Sequence, residues 1–313
     1  MNRPKIFIVD GNNLAHMGHG RQPMTHEGER TEVAYLGLSM MVNNLNKFNP
    51  DRVAVVWDGG KDERRMRLAP EYKGQRRQDL TPAEKQEWEL FFKQMENLQD
   101  VFQKLGVPQF KCSGREADDV IYSLIEMINR KVDGVADFIV MSTDKDFFQL
   151  LAEFDNVVIW NPVKKEEWFS AKFESEYGFD VEWYLDFKAL VGDPSDNLKG
   201  VKGIGEKGAA LLARDVISKE GDQYVITDKK LIKYACIFGD NFDEYRRMRE
   251  VMKFYLIDEE EISDGKIKAD VETPSALQEN MIGLFNRYGF ERFMGRLGEM
   301  LSPFEQLLFR RKE

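Results

Sequence analysis

Lys5-Ile6-Phe7-Ile8-Val9-Asp10-Gly11 is a short apolar run that closes on an acid and a glycine. An apolar run of that length predicts a buried strand. Working outward, Thr31 to Phe48 carries Val33, Leu36, Met40, Met41 and Leu45 at helical spacing. Arg52-Val53-Ala54-Val55-Val56-Trp57-Asp58 then repeats the first pattern, with its acid again set before a glycine. Strand, helix and strand make a βαβ unit, so the expected fold class is α/β with a mainly parallel central sheet flanked by helices. Asp137-Phe138-Ile139-Val140-Met141 and Val157-Val158-Ile159-Trp160 extend that sheet. Ligands of such sheets bind outside the carboxyl ends of the strands. Asp10, Asp58, Asp144 and Asp146 all fall there.

A second acidic group stands at Ser113-Gly114-Arg115-Glu116-Ala117-Asp118-Asp119, which leads into the apolar positions Val120, Ile121, Leu124, Ile125 and Ile128. Ser113 and Glu116 have the spacing of a capping box, and acids in a first turn favour the helix dipole. That structural account suffices for the stretch alone. The company of six further aspartates, at Asp10, Asp58, Asp144, Asp146, Asp193 and Asp196, points instead to one shared acidic site.

Between Lys61 and Arg77 the chain turns basic, through Lys61, Arg64, Arg65, Arg67, Lys73, Arg76 and Arg77. Pro70-Glu71-Tyr72-Lys73-Gly74 interrupts it, as in a mobile or arched segment that binds phosphate. Thr81-Pro82-Ala83-Glu84 opens a helix whose stripe of Trp88, Phe91, Phe92, Met95, Leu98 and Phe102 is packing. His16, His19 and His26 share one polar loop but supply too few ligands for zinc. Gly203 to Gly208 matches G-x-G-x-x-G, yet no strand precedes it, and Glu206 breaks a P-loop pattern. A glycine-rich hairpin between helices is expected there, with backbone N–H groups and Lys199, Lys202 and Lys207 facing phosphate.

The chain has 313 residues and a net charge of −10, enough for two domains with separate cores. The expected boundary lies between residues 165 and 166. A sheet domain with an arched segment over about 61–110 precedes a mostly helical domain over 166–313, and the resemblance given below implies that the first is catalytic and the second DNA-binding. Two cysteines, no membrane span and no visible signal peptide lead us to expect a cytoplasmic chain, and the resemblance given below implies a monomer in a bacterial or phage-infected host.

In combination, Val9-Asp10-Gly11-Asn12-Asn13, Trp57-Asp58-Gly59, Tyr72-Lys73-Gly74-x-Arg76, Glu116-Ala117-Asp118-Asp119, Ser142-Thr143-Asp144-Lys145-Asp146 and Gly192-Asp193 to Ala209 resemble the flap endonuclease and 5′→3′ exonuclease family. The likeness is to its compact bacterial and bacteriophage form, including the phage ribonuclease H type, and covers roughly Ile6 to Leu212. It implies a metal-dependent carboxylate site, an arch, and a helix-hairpin-helix-like clamp at about 186–215. Asp10, Asp58, Glu116, Asp118, Asp119, Asp144, Asp146, Asp193 and Asp196 match the family's carboxylates. Tyr72, Lys73 and Arg76 match its arch, and Lys188 a basic residue on the clamp side. Val201 and Ile204 match carbonyl donors to a potassium ion.

The chemistry agrees, because nine acids in one pocket require compensating cations, and oxygen ligands select magnesium or manganese. Asp10, Asp58, Glu116 and Asp118 are assigned to one metal, and Asp119, Asp144, Asp146, Asp193 and Asp196 to another. Lys73 and Arg76 would clamp the scissile phosphate, and Tyr72 would stack on a displaced base. Arg77, Lys188, Lys202, Gly203, Gly205 and Lys207 complete the expected nucleic-acid surface. The expected substrate is DNA with a 5′ flap, nick or single-strand/duplex junction, or an RNA–DNA hybrid, in replication or repair. The alternatives are an RNA-cleaving phosphodiesterase of PIN type and a non-catalytic DNA-binding accessory protein. In the tail, Leu301, Phe304 and Leu308 form either a helix packed on its own domain or a dock for a sliding clamp or single-strand binding protein.

Overall fold

Five parallel strands form the centre of a seven-stranded sheet in the computed structural model, which describes residues 3–19, 22–76, 78–132, 135–215, 232–269 and 271–310. In spatial order the central strands are Gln109–Phe110, Arg52–Val56, Lys5–Asp10, Asp137–Met141 and Val157–Asn161. Lys266–Ile267 and Glu166–Trp168 close the two edges in antiparallel fashion. In chain order the five central strands therefore run 3-2-1-4-5. The connections leave in opposite directions on either side of Lys5–Asp10, so the topological switch point lies between that strand and Asp137–Met141. Asp10 ends the first of these strands, and Asp144 follows the second.

Alternation along the strands builds a core on each face. Phe7, Val9, Val53 and Val55 face the helices Glu32–Phe48, Pro82–Lys104, Pro274–Tyr288 and Leu297–Arg310. Ile6, Ile8, Phe138 and Val140 face Ala117–Lys131 and Phe148–Glu153. A third core joins the helices Tyr184–Val191, Glu206–Asp215 and Phe242–Met252 to Ala69 and Tyr72. Helix Pro82–Lys104 starts on the expected capping box of Thr81 and Glu84.

Two expected boundaries shift. Helix Pro82–Lys104 buries Phe91, Met95, Leu98 and Phe102 in the sheet core, so the segment off that core is nearer 61–81 than 61–110. The division at 165 also fails as a break in packing. Phe173, Phe179 and Tyr184 complete the second core, and Leu277, Phe285, Phe304 and Leu308 complete the first. Leu301, Phe304 and Leu308 are thus buried side chains and not a dock for a partner protein. Arg310 pins the same helix to the Asn49 side-chain oxygen at 2.9 Å. Phe304→Ala should cost about 3–5 kcal/mol by the transfer and cavity terms together. Chemical denaturation would measure this, and an unchanged midpoint would contradict the assigned packing.

A buried ionic knot holds the foot of the basic segment. Arg65, in helix Glu63–Leu68, pairs with both Asp119 oxygens and with Asp62, and it donates to the Val251 and Lys253 carbonyls at 3.0 Å each. The Tyr255 N–H adds a bond to Asp119 at 2.8 Å. Surrounding acids outweigh the burial penalty and hold the guanidinium firmly protonated. Removing one partner from such a pair leaves a buried charge, which costs about 3–5 kcal/mol. Asp119→Ala should therefore lower the melting temperature by several degrees, read by thermal denaturation, whereas an unshifted transition would return Asp119 to the open cleft.

Candidate active site

Eight of the nine expected carboxylates line one cleft of about 610 Å³ at the switch point: Asp10, Asp58, Glu116, Asp118, Asp144, Asp146, Asp193 and Asp196. The ninth, Asp119, is excluded by its commitment to Arg65 and Tyr255. Adjacent residues on a helix point about 100° apart. Asp118 therefore faces the cleft while Asp119 faces the knot.

Local hydrogen bonds aim the acids. Asp10 caps the following helix by accepting the Asn13 N–H at 3.0 Å, and its other oxygen accepts the Ser142 hydroxyl at 2.9 Å. Asp58 accepts the Ala117 N–H at 2.8 Å and thereby ties the second strand to the start of the acidic helix. Asp144 accepts the Asp146 N–H at 2.9 Å, and Asp193 accepts the Ser195 N–H at 2.9 Å. The acidic helix begins at Ala117 with Glu116 as its N-cap residue and no side-chain cap, so the expected Ser113–Glu116 capping box does not form. Glu116 turns into the cleft instead. There it accepts the Tyr72 hydroxyl and the Lys73 ammonium, both at 2.7 Å.

Burial and mutual repulsion press these acids toward their neutral forms. Burial, and then the neighbouring Asp58 and Asp144, raise Asp10 to about 7. Burial followed by Asp119 raises Asp118 to about 7, and burial with Asp144 nearby raises Asp146 to about 6. Glu116 and Asp144 are also raised by burial first. Burial pushes Asp193 up as well, but Lys188 and Ser195 outweigh it and hold that acid low. Among the described residues, no three acids are gathered into a closed cation cage. They form a wide trough in which carboxylates outnumber the cationic side chains, an oxygen donor set that fits hard divalent cations retaining part of their water.

Four bases meet the acids. Arg76 pairs with Asp196, and Lys73 lies 3.9 Å from the same carboxylate. Lys73 has a left-handed φ of 52°, sparsely used by non-glycine residues, and its N–H donates to the Asp196 carbonyl at 2.8 Å. The Asn197 side chain donates to the Glu71 carbonyl at 2.8 Å, so the 71–73 and 194–197 turns are stitched together. Lys188 departs from its expected place on the clamp side. It is buried between Asp146 and Asp193, 3.0 Å from the latter, because its helix turns that face to the trough. Arg65 reaches Glu116 at 3.5 Å from below.

Tyr72 is also corrected, since it is 8% exposed and bound to Glu116, and so presents no face to a base. The aromatic lining of the cleft is instead His16 and Trp88, beside Leu80, with the buried Phe147. The His16 ring also stacks on Phe91 at 4.5 Å. The signal in the sequence is the shared helical face of Trp88 and Phe91, which core packing alone also explains. Arg77 lies outside the described residues.

The glycine hairpin does join two helices, Tyr184–Val191 and Glu206–Asp215. Gly203 has φ of 92°, and a Cβ on Gly200 would meet the Val191 carbonyl carbon at 2.2 Å. Gly205 has open space around its Cβ position, so the protein's own backbone does not demand glycine there. Val201 and Ile204 turn their side chains inward, and Lys202 and Lys207 are exposed.

With this geometry in view, comparison with known proteins is specific. The profile of the 5′-3′ exonuclease N-terminal, resolvase-like domain matches residues 5–178. A 5′-3′ exonuclease of Aquifex aeolicus is 30% identical over 217 residues, which cover 69% of this chain and 71% of that protein. DNA polymerase I of Bacillus subtilis is 30% identical over 316 residues, 97% of this chain but only 33% of the polymerase. The chain thus spans about a third of that polymerase's length. The bacteriophage T5 D15 flap endonuclease, solved as a complex with DNA and metal ions, shares the fold with a TM-score of 0.65 and 22% identity, over 95% of this chain and 99% of that one. By its matched domain and these relatives, the chain belongs to the 5′-3′ exonuclease family.

Proposed function

We propose that this protein is a divalent-metal-dependent, structure-specific 5′ nuclease that hydrolyses phosphodiester bonds at flaps, nicks and 5′ ends of DNA. The observation that carries this is the cleft itself, in which eight acids converge at the strand ends with Lys73 and Arg76 on its rim. Asp10, Asp58, Glu116 and Asp118 would hold one cation, and Asp144, Asp146, Asp193 and Asp196 a second. Magnesium or manganese, when bound, supplies an activated water and offsets charge on the attacking and leaving oxygens. Lys73 and Arg76, now spent on Glu116 and Asp196, are the donors placed to receive a phosphate's negative charge. Lys188 holds Asp146 and Asp193 side by side. His16 and Trp88 offer a surface on which an unpaired base can stack. RNA–DNA hybrids belong to the same substrate class. A role in replication or repair and a potassium ion on the Val201 and Ile204 carbonyls extend the reading to the hairpin. Product mapping on end-labelled flap, nicked and RNA–DNA duplexes with magnesium tests the proposal. Cleavage at the junction leaving a 5′-phosphate supports it, and cation-independent or absent cleavage of every substrate overturns it.

Asp144→Asn should reduce turnover at least a hundredfold while leaving DNA affinity within about a factor of three, since an amide fills the same volume but is a poor ligand for magnesium. Single-turnover cleavage and equilibrium binding separate the two effects. Wild-type turnover would remove Asp144 from the chemistry.

Asp10, Asp118 and Asp146 also fix a pH dependence. Their folded pKa values, about 7, 7 and 6, lie above the unfolded value of about 3.9. The stability they contribute is therefore present below about pH 4 and lost as pH rises through 6 to 7. Cation binding must displace those same protons. The rise in melting temperature on adding magnesium should accordingly be small at pH 5 and large at pH 8. An equal rise at both would contradict the shared acidic site.

The hairpin should grip duplex phosphate through N–H groups and the exposed Lys202 and Lys207. Lys202→Ala and Lys207→Ala should each flatten the salt dependence of duplex affinity by roughly one in the log–log slope. An unchanged slope in both variants would leave the hairpin as a turn between helices.

A further inference from the structure

On the other side of Asp144 lies a second cavity, of about 370 Å³. It shares Asp144 with the acid cleft, and Asn13 of the cleft lining is hydrogen-bonded to Thr143 of the second lining. Its volume falls in the range of roughly 300–1,000 Å³ of small-ligand sites. The lining divides by chemistry. Met17, Ile159, Val163 and Trp168 give apolar and aromatic surface, and Lys145 and Lys164 give positive charge. Neither lysine forms a carboxylate salt bridge among the described residues, in contrast to Lys73 and Lys188 in the acid cleft; Lys145 lies 5.6 Å over the Tyr177 ring and Lys164 acts on Glu166 only at longer range. The Asn161 side-chain oxygen is committed to the Val163 and Lys164 N–H groups at 3.1 and 3.0 Å, which assigns its NH₂ as the donor of the lining. A flat apolar ligand that carries a hydrogen-bonding edge and an anionic group meets all three demands.

We propose that this cavity binds a nucleoside monophosphate, with its base against Trp168 and Ile159 and its phosphate at Lys145 and Lys164. The site is separate from the cleft that holds the acids, and it borders the cleft at Asp144. Two sources present this chemistry: the terminal nucleotide of the strand being cut, and the free mononucleotide that cutting releases. The assignment rests on the phosphodiester chemistry proposed above for the source of the nucleotide. Binding itself is measured without cations, so a failure to cleave and a failure to bind are separate results.

The test uses the full chain in EDTA. Deoxyadenosine monophosphate is titrated against tryptophan fluorescence in the wild type and in Trp168→Phe, which identifies the reporting ring. Saturable quenching that disappears in Trp168→Phe is expected. Lys164→Glu and Val163→Glu lie on an exposed turn, and each should weaken binding about tenfold, as should removal of the phosphate from the ligand. A 5′-phosphorylated single strand that displaces the mononucleotide, with a raised KM in Lys164→Glu, identifies the source as the substrate strand. Simultaneous binding of both identifies it as released product. The proposal is overturned if quenching is absent at millimolar ligand. It is equally overturned if binding survives Lys164→Glu and Val163→Glu but is lost in Arg76→Ala, which would place the nucleotide in the acid cleft.

Discussion

Mutual repulsion among buried carboxylates is the constraint on which this structure depends. Asp10, Glu116, Asp118, Asp144 and Asp146 are all pushed toward protonation, primarily by burial and then by one another. A fold that gathers them must supply positive charge from outside the sheet. It does so at three points: Lys73 and Arg76 from the basic segment, Lys188 from the helix before the hairpin, and Arg65 from beneath. Each comes from an element that packs on the third core or borders it. The parts that would grip nucleic acid are therefore the same parts that make the acid cleft tolerable.

The switch point explains why the acids meet at all. Parallel strands put their carboxyl ends on one edge, and reversal of the winding direction opens a crevice between the first strand and Asp137–Met141. Asp58 then bridges to the acidic helix through the Ala117 N–H, and backbone bonds between Gly59 and residues 114 and 115 join it in holding the second strand to the start of that helix. The 194–197 turn arrives from the far side and is stitched to the 71–73 turn by backbone and side-chain bonds. These bonds join the basic segment to the turn that carries Asp193 and Asp196.

Much of this was legible in the sequence, because strands of five or six apolar residues closed by an acid are a local signal. The central sheet, the acids at its strand ends, and the helices flanking the glycine hairpin all follow from such signals. What escaped is decided by partners distant in sequence. Asp118 and Asp119 are chemically equal as letters, and the partners that hold the second out of the cleft, Arg65 and the Tyr255 N–H, lie 54 and 136 residues away. Tyr72 reads as an exposed aromatic in a polar stretch until Glu116 is seen to accept its hydroxyl. Lys188 sits on a short helix with apolar residues on several sides, so its period does not tell which face meets the acids. The return of residues 274–310 to the first core was illegible for the same reason, since an amphipathic helix does not name the surface it covers.

The central claim is that the trough holds divalent cations through Asp118 and its neighbours, and that Asp119 takes no part. Counting bound manganese by electron paramagnetic resonance, in the wild type, Asp118→Asn and Asp119→Asn, tests this most directly. The account predicts fewer or weaker bound ions in Asp118→Asn and an unchanged count and affinity in folded Asp119→Asn. Equal loss in both variants, or no loss in either, would contradict it.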